Sequence, residues 1–359
     1  EELSAVLGYQ PYERNDSSSH GDNARNGSYQ RTIDTEFGPI NITVPRDRKN
    51  KFRNALFEPY SRRTDTLESM IIKMYSKGIT TREIADLVER MYGDYYSPTT
   101  VSNITKQVGN LVEEFHDRTF KHSQYVCVFL DATYIPLKRG TVEREAVNIA
   151  IGIRSDGGKE VLDFSVAPNE NGEAWRELLE SLRNRGIEQV QLFIADGFIG
   201  LENVIAEIYP TAKFQRCLVH VLRNLTSHVR KSDMRDLMSE FKEIRQSESL
   251  EEAKQALDNF ILKWESKYSN QMRKLGKLNN LFTFYEFPPS IRASIYSTNL
   301  IEAFNKKLKK KIRQKEQFPN EDALQRFVTT QILEYNDKFE ERAHRGFRGN
   351  KDTLDSMFI

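Results

Sequence analysis

Residues 125–135, YVCVFLDATYI, are apolar on both faces until Asp131 interrupts them, and residues 190–197, VQLFIADG, repeat the arrangement and stop at Asp196. A strand apolar on both faces is usually a central one covered on each side, and in open α/β sheets ligands collect at the carboxyl ends of such strands. If the two strands are neighbours, their ends lie about 4.8 Å apart. Two bare carboxylates that close would raise each other's pKa, and a divalent cation relieves the conflict. Oxygen donors suit Mg²⁺ or Mn²⁺. Asp196 followed by Gly197 also suits a plain turn, whereas DATYIP is no standard turn sequence.

Around this pair the pattern predicts a mixed sheet. Strands are expected at 145–153 and 159–168 with a turn at Asp156-Gly157-Gly158, a helix at 171–186 stopped by Gly186, a helix at 198–210, and a short strand at 212–217. The order βββαβαβ gives an α/β fold with helices on the sheet's faces. From 218 to 294 no strand signal appears, and an all-α insertion is expected before the sequence returns to helices at 295–359.

Before the sheet, Ile40, Ile42 and Val44 alternate behind Gly38-Pro39, which predicts a small hairpin turning at Gly38-Pro39, and residues 15–28 read as an exposed polar loop. Helices are expected at 65–77 (Leu67, Met70, Ile71, Met74 inward), at 80–93 (Ile84, Leu87, Val88, Met91 inward, with Thr80 and Glu83 as a capping box) and at 97–115 (Val101, Ile104, Val108 inward). Two short helices around a Gly-containing turn form a helix-turn-helix candidate whose second helix would present Thr99, Thr100, Ser102, Asn103 and Lys106 to DNA. A small helical bundle of another kind fits the same local pattern. The organisation expected is therefore 1–64, loop, hairpin and basic segment; 65–118, helical domain of helix-turn-helix type; 119–217, α/β core, first part; 218–294, all-α insertion; 295–359, α/β core, second part.

Net charge is only +1, from 53 Lys and Arg against 52 Asp and Glu, but it is unevenly spread. Residues 45–63 carry seven cations against two acids, with Arg46, Arg48, Lys49, Lys51 and Arg53 as candidate phosphate contacts. Residues 297–315 carry seven cations and one acid, Glu302. Helical spacing puts Leu300, Ile301, Phe304, Leu308 and Ile312 on one stripe and Glu302 on another face with Lys306, Lys309 and Arg313. A surface pair between Glu302 and Lys306 would be worth about 0.2–0.5 kcal/mol and leaves the cationic excess unexplained. A third metal-binding carboxylate followed by a phosphate-binding rail (Asn305, Lys306, Lys309, Lys310, Arg313) accounts for both. Two ions held by three carboxylates form the clamp used for in-line displacement at phosphorus.

Two cysteines, Cys127 and Cys217, make no disulfide framework; with no 18-residue apolar run and no signal-peptide pattern at the start, a cytoplasmic protein is expected. Trp175 and Trp264 could stack on an unpaired base, though core positions suit them better.

The segments FLDATYI, ADGFIGLENVI, FQRCLVHVLRN and STNLIEAFNKKLK, in that order, resemble the Mutator-type transposases of bacterial insertion sequences, members of the DDE superfamily with a ribonuclease-H-like catalytic fold. The resemblance runs over nearly the whole chain, and carried over position by position it puts the catalytic triad on Asp131, Asp196 and Glu302, with gaps of 65 and 106 residues. It implies a ribonuclease-H-like mixed sheet interrupted by the all-α insertion, two Mg²⁺ or Mn²⁺ ions, and strand cleavage and transfer between terminal inverted repeats and target DNA by a homodimer, with no membrane and no small-molecule cofactor. It also implies a Cys-x-x-His signature at Cys217 and His220, beside the site together with Arg223. Zinc would need four ligands, so a hydrogen-bonding role for His220 and packing for Cys217 are expected. Two further readings stay open: a ribonuclease-H-like nuclease or resolvase, and a non-catalytic DNA-binding protein derived from a transposase.

Overall fold

The computed structural model describes residues 2–13, 23–35, 37–54, 63–92, 97–106, 108–313 and 315–358. The Gly93 turn of the helix-turn-helix candidate, most of the 15–28 loop and residues 55–62 of the basic stretch lie outside them. The chain forms two compact units, Glu1–Gly109 and Asn110–Ile359.

In the first unit, β1 (Arg25–Thr35) and β2 (Gly38–Asp47) pair antiparallel from Thr35↔Gly38 outward. The turn therefore precedes Gly38-Pro39, which belong to the strand. The Thr35 hydroxyl donates to the Gly38 carbonyl (2.8 Å) and accepts the Phe37 N–H (3.1 Å), closing the chain earlier than the glycine suggested. β1 also begins inside the stretch expected to be loop. Ile33 is the buried hydrophobic residue among the described residues of the hairpin, while Ile40 is exposed.

Beyond α1 (Glu2–Leu7) and the hairpin come α2 (Asp65–Ser76), α3 (Thr81–Tyr92) and α4 (Pro98–Lys106). The capping box forms as the spacing predicts: the Thr80 N–H donates to Glu83 at 2.8 Å, and the Glu83 N–H donates to the Thr80 hydroxyl at 3.2 Å. Leu67, Ile71, Ile84, Val88, Val101 and Ile104 are buried. Leu87 and Met91 are exposed instead of inward, because the apolar arc of α3 is wider than the surface its neighbours cover. The helix expected over 97–115 is described as α4 and α5 (Val108–Asp117), with Gln107 and the Val108 side chain outside the described residues.

The second unit is built on a five-stranded mixed sheet in the order β5-β4-β3-β6-β7, with β3 at its centre. β3 (Gln124–Lys138), β4 (Val142–Ile153) and β5 (Lys159–Ala167) form an antiparallel meander, and β6 (Gln189–Ala195) and β7 (Lys213–Arg216) add parallel strands. Helices α6 (Gly172–Asn184) and α7 (Leu201–Ile208) make the crossovers. Their apolar faces (Trp175, Leu178, Leu182, Val204, Ile205) pack with Val128, Leu130, Ala150, Phe193 and Ala195 on one face of the sheet. Side chains alternate along a strand, so Asp131, next to Leu130, points off the other face. There it meets Asn305 of the helix at residues 299–312, and helices thus cover both faces.

β3 does not end at Asp131. It runs to Lys138 because β4 pairs with it throughout, and Ile135 and Leu137 stay fully buried. β6 accompanies β3 only as far as Phe129↔Ile194. After β7 come α8 (Leu218–Thr226), α9 (Lys231–Gln246), α10 (Leu250–Leu275) and α11 (Pro289–Ile295), with no strand among the described residues there. The chain then returns to the sheet through α12 (Asn299–Ile312) and α13 (Glu321–Phe339), and ends with α14 (Lys351–Asp355). No helix among the described residues is long and apolar enough to cross a membrane.

Candidate active site

Asp131 and Asp196 each lie two residues beyond the last pair that β3 and β6 form with each other, Phe129↔Ile194. The register, continued, sets them side by side. Asp196 follows β6 directly and begins a turn: its Oδ1 accepts the Phe198 N–H at 3.1 Å, and Gly197 takes φ +91°. That positive φ favours glycine; a Cβ at Gly197 would also displace the flexible end of the Arg216 side chain. The plain-turn reading therefore holds for one oxygen of Asp196 without excluding a role for the other.

The third acid comes from α12. Ile301, Phe304, Leu308 and Ile312 are buried, as the stripe predicts, and Leu300 is half-buried. Glu302 leaves that stripe but does not turn to Lys306. Its Oε1 lies 3.2 Å from His220 Nε2 and 3.4 Å from Arg223, both on α8. Asn305, expected on the DNA-facing side, is buried, and its Nδ2 donates to Asp131 Oδ2 at 2.8 Å. One turn after Glu302, Asn305 sits at the edge of the apolar stripe, and a short amide there reaches the sheet instead of solvent. Its Oδ1 is buried without a partner.

Cys217 and His220 meet behind Glu302. The Thr298 N–H and hydroxyl both lie 3.3 Å from the Cys217 sulfur, and the same hydroxyl lies 3.3 Å from His220 Nδ1. Burial raises the thiol, but hydrogen bonds from His220 and Thr298 outweigh it and hold Cys217 below its usual range. His220 is held above its usual range by the Cys217 hydrogen bond and then by the charges of Cys217, Glu302 and Asp196. A hydrogen-bonding His220 is thus what the structure shows.

Burial pushes the Asp131 carboxyl up to about 6, and the charges of Asp196 and Glu302 add to the effect against the Asn305 hydrogen bond. Glu170, between β5 and α6, is pushed up to about 7 by burial and by Asp196 and Asp131, although Trp175 Nε1 donates to it at 3.1 Å. Four carboxylates therefore share one field. Glu170 went unnoticed in the sequence because PNENGEAW reads as a strand-to-helix turn, and Trp175 four positions after the Asn171 cap was its one signal.

The donors are hard oxygens, two of them mutually repelling, beside an unsatisfied amide oxygen, and this chemistry fits a divalent cation. Among the described residues, however, no three His, Cys, Asp or Glu side chains already converge as a ready-made metal cradle. Glu302 is held by His220 and Arg223 of α8. Asn305→Ala is expected to move the Asp131 titration above about 6, since it deletes the group that favours the ionised form. A series of melting temperatures against pH measures the shift, and an unchanged profile would remove Asn305 from the site.

Of the remaining candidates, Thr99, Asn103 and Lys106 are exposed on α4, while Thr100 and Ser102 are half-buried. The Ser97 hydroxyl accepts the Thr100 N–H at 3.0 Å, so Thr100 serves the start of the helix. Arg46, Arg48, Lys49, Lys51 and Arg53 are exposed along the end of β2 and the segment after it. Asp47 among them is buried, held down to about 2 by the Asn23 hydrogen bond and then by the Lys51 and Phe52 N–H groups. Lys306, Lys309 and Lys310 are exposed on α12, and Arg313 is exposed directly after it. Trp175 and Trp264 are both buried and offer no face to a base.

A family model described as "Transposase, Mutator family" matches residues 1–342. The chain is similar to the transposase for insertion sequence element IS905 of Lactococcus lactis subsp. lactis (strain IL1403), 50% identical over 99% of this chain and 90% of that protein. It is similar to the transposase for insertion sequence element IS1201 of Lactobacillus helveticus, 51% identical over 93% of this chain and 90% of that one. The transposase for IS256 in transposon Tn4001 of Staphylococcus aureus is 29% identical over 88% of the chain and 82% of its own length.

Proposed function

The chain belongs to the Mutator family of transposases, and from that premise we propose that it cuts the ends of an insertion sequence and joins them to target DNA at a site made by Asp131, Asp196 and Glu302. The observation that carries the proposal is Asp131 itself: a carboxylate in the central strand, with Asp196 beside it in register and two residues of α12 directed to the same region. These three acids would hold two Mg²⁺ or Mn²⁺ ions. Bound there, such ions would supply activation of an attacking hydroxyl and stabilisation of charge at phosphorus.

The chain's own residues do the rest. Asn305 orients the Asp131 carboxylate, and His220 and Arg223 hold the Glu302 carboxylate in place. The exposed lysines of α12 hold the DNA backbone, with further phosphate contacts from the segment around Arg46–Arg53 and from α4 acting as the second helix of a helix-turn-helix. In this reading the sheet is ribonuclease-H-like, residues 218–294 are an insertion within the catalytic core, and a homodimer pairs two terminal inverted repeats in the cytoplasm.

Labelled DNA bearing the element's own ends, incubated with the protein and Mg²⁺, tests the proposal. Nicking with joining is expected. Nicking alone would indicate a nuclease, and retention without cleavage a DNA-binding protein. Replacing Lys306, Lys309 and Lys310 together by serine is expected to lower the slope of log affinity against log salt by roughly 2–3 for DNA ends. An unchanged slope, read by fluorescence anisotropy, would take the rail off the DNA.

A further inference from the structure

On the side of α12 away from Glu302 lies a cavity of about 350 Å³, walled by Phe304 and Phe339 and lined by Lys159, Lys307, His344 and Ser297. We propose that this cavity binds a phosphate group, supplied by a DNA strand or by a free nucleotide. Three observations converge on an anion. First, none of its lining residues among the described ones carries a carboxylate, so Lys159 and Lys307 face one another without an internal counter-charge there. Second, Ser297 is 1% exposed and its hydroxyl has no hydrogen-bond partner. A buried hydroxyl left unsatisfied costs free energy, and an acceptor reaching this wall of the cavity would relieve that cost. Third, the first turn of α12, which no side chain caps, enters the cavity at Asn299 and Leu300. Free N–H groups and the positive end of a fourteen-residue helix favour negative charge there.

The titration behaviour agrees with this geometry. Burial, then Lys307 and Arg342, hold Lys159 below its usual range, and burial and Lys159 press His344 down to about 4. Lys159 meanwhile rests over the Phe339 ring, 4.1 Å from its centroid. An entering phosphate would supply the charge that Lys159 lacks and the acceptor that Ser297 lacks, with His344 neutral and free to donate one hydrogen bond.

The DNA source rests on the function proposed above, but the pocket does not. The full chain, in phosphate-free buffer, is titrated with inorganic phosphate by calorimetry. Saturable one-to-one binding is expected, and Ser297→Ala and Lys307→Met are each expected to weaken it roughly tenfold, as loss of one charge-assisted hydrogen bond would. Lys307→Arg should retain binding. Ser297→Ala should melt no lower than the wild type, because it deletes an unsatisfied group; a lower melting point would mean a structural hydroxyl and would overturn its role as a ligand. Absence of phosphate binding by the wild type, or unchanged binding by both weakening variants, would overturn the pocket. Repeating the titration with element-end DNA already bound separates the sources. Competition assigns the pocket to the DNA backbone, and simultaneous binding assigns it to a free phosphate or nucleotide. None of these measurements needs metal or strand cleavage, so they succeed or fail independently of the catalytic triad.

Discussion

Asp131→Asn is expected to lower strand cleavage and joining by at least roughly 10³-fold, because several kilocalories per mole of transition-state stabilisation depend on the charged ligand, while binding of element ends persists. The same substitution should stabilise the metal-free protein at neutral pH. In the fold the carboxyl titrates at about 6 against an ordinary 3.8, so between those values the folded state holds the extra proton. Stability therefore falls as pH rises through that window, by up to about 3 kcal/mol for a shift of this size. Asparagine, which cannot ionise, escapes that loss. Calorimetric melting from pH 4 to 8 without metal would show a declining wild type and a flatter variant. Adding Mg²⁺ should raise the wild-type melting temperature, since a ligand that binds only the folded state stabilises it, and should leave the variant largely unmoved. A variant that kept cutting DNA, or lost end binding together with cutting, would remove Asp131 from the chemistry.

Trp175→Ala should be the costliest change in the sheet's core, at about 3–5 kcal/mol. The side chain is fully buried among Leu178, Leu182 and the central strands, and its indole N–H is the hydrogen-bond donor to Glu170. Two losses thus coincide: a large cavity, and a half-buried carboxyl stripped of the group that favours its charge. Trp175→Phe separates them. It keeps most of the apolar volume, should cost less, and should still drive the Glu170 titration above about 7. Denaturant unfolding supplies the first measurement and a carboxyl-resolved pH titration the second. An alanine variant that unfolds at the wild-type denaturant concentration would contradict the packing described here.

Much of the sheet was legible because buried strands announce themselves by composition. YVCVFLD and VQLFIAD are the central strand and its parallel neighbour, and the crossover helices fall where the period of 3.6 put them. Strand ends were less legible. The apolar run stops at Asp131 while the backbone ladder continues to Lys138, since a ladder follows its partner strand and not its own side chains. Asn305 was misassigned for a related reason: helical angle places a residue to within about one position of a boundary, and a short amide at that boundary can turn either way. Leu87 and Met91 show the limit of periodicity, which marks an apolar arc without saying how much of it neighbours cover. His220 and Arg223, which hold Glu302, lie some 80 residues before it in the chain, and no local pattern joins such distant partners.

The three acids differ in the freedom of the backbone that carries them. Asp131 sits inside a ladder, opposite Ile149, with the strand continuing seven residues beyond it. Its amide should belong to the slowest-exchanging class in the molecule, opening only with the sheet itself. Glu302 rides one turn into a helix and is tethered by two side chains from another helix. Any adjustment that draws the carboxylates closer together therefore falls to the helix and its tethers, with the sheet acting as the fixed jaw of a vice.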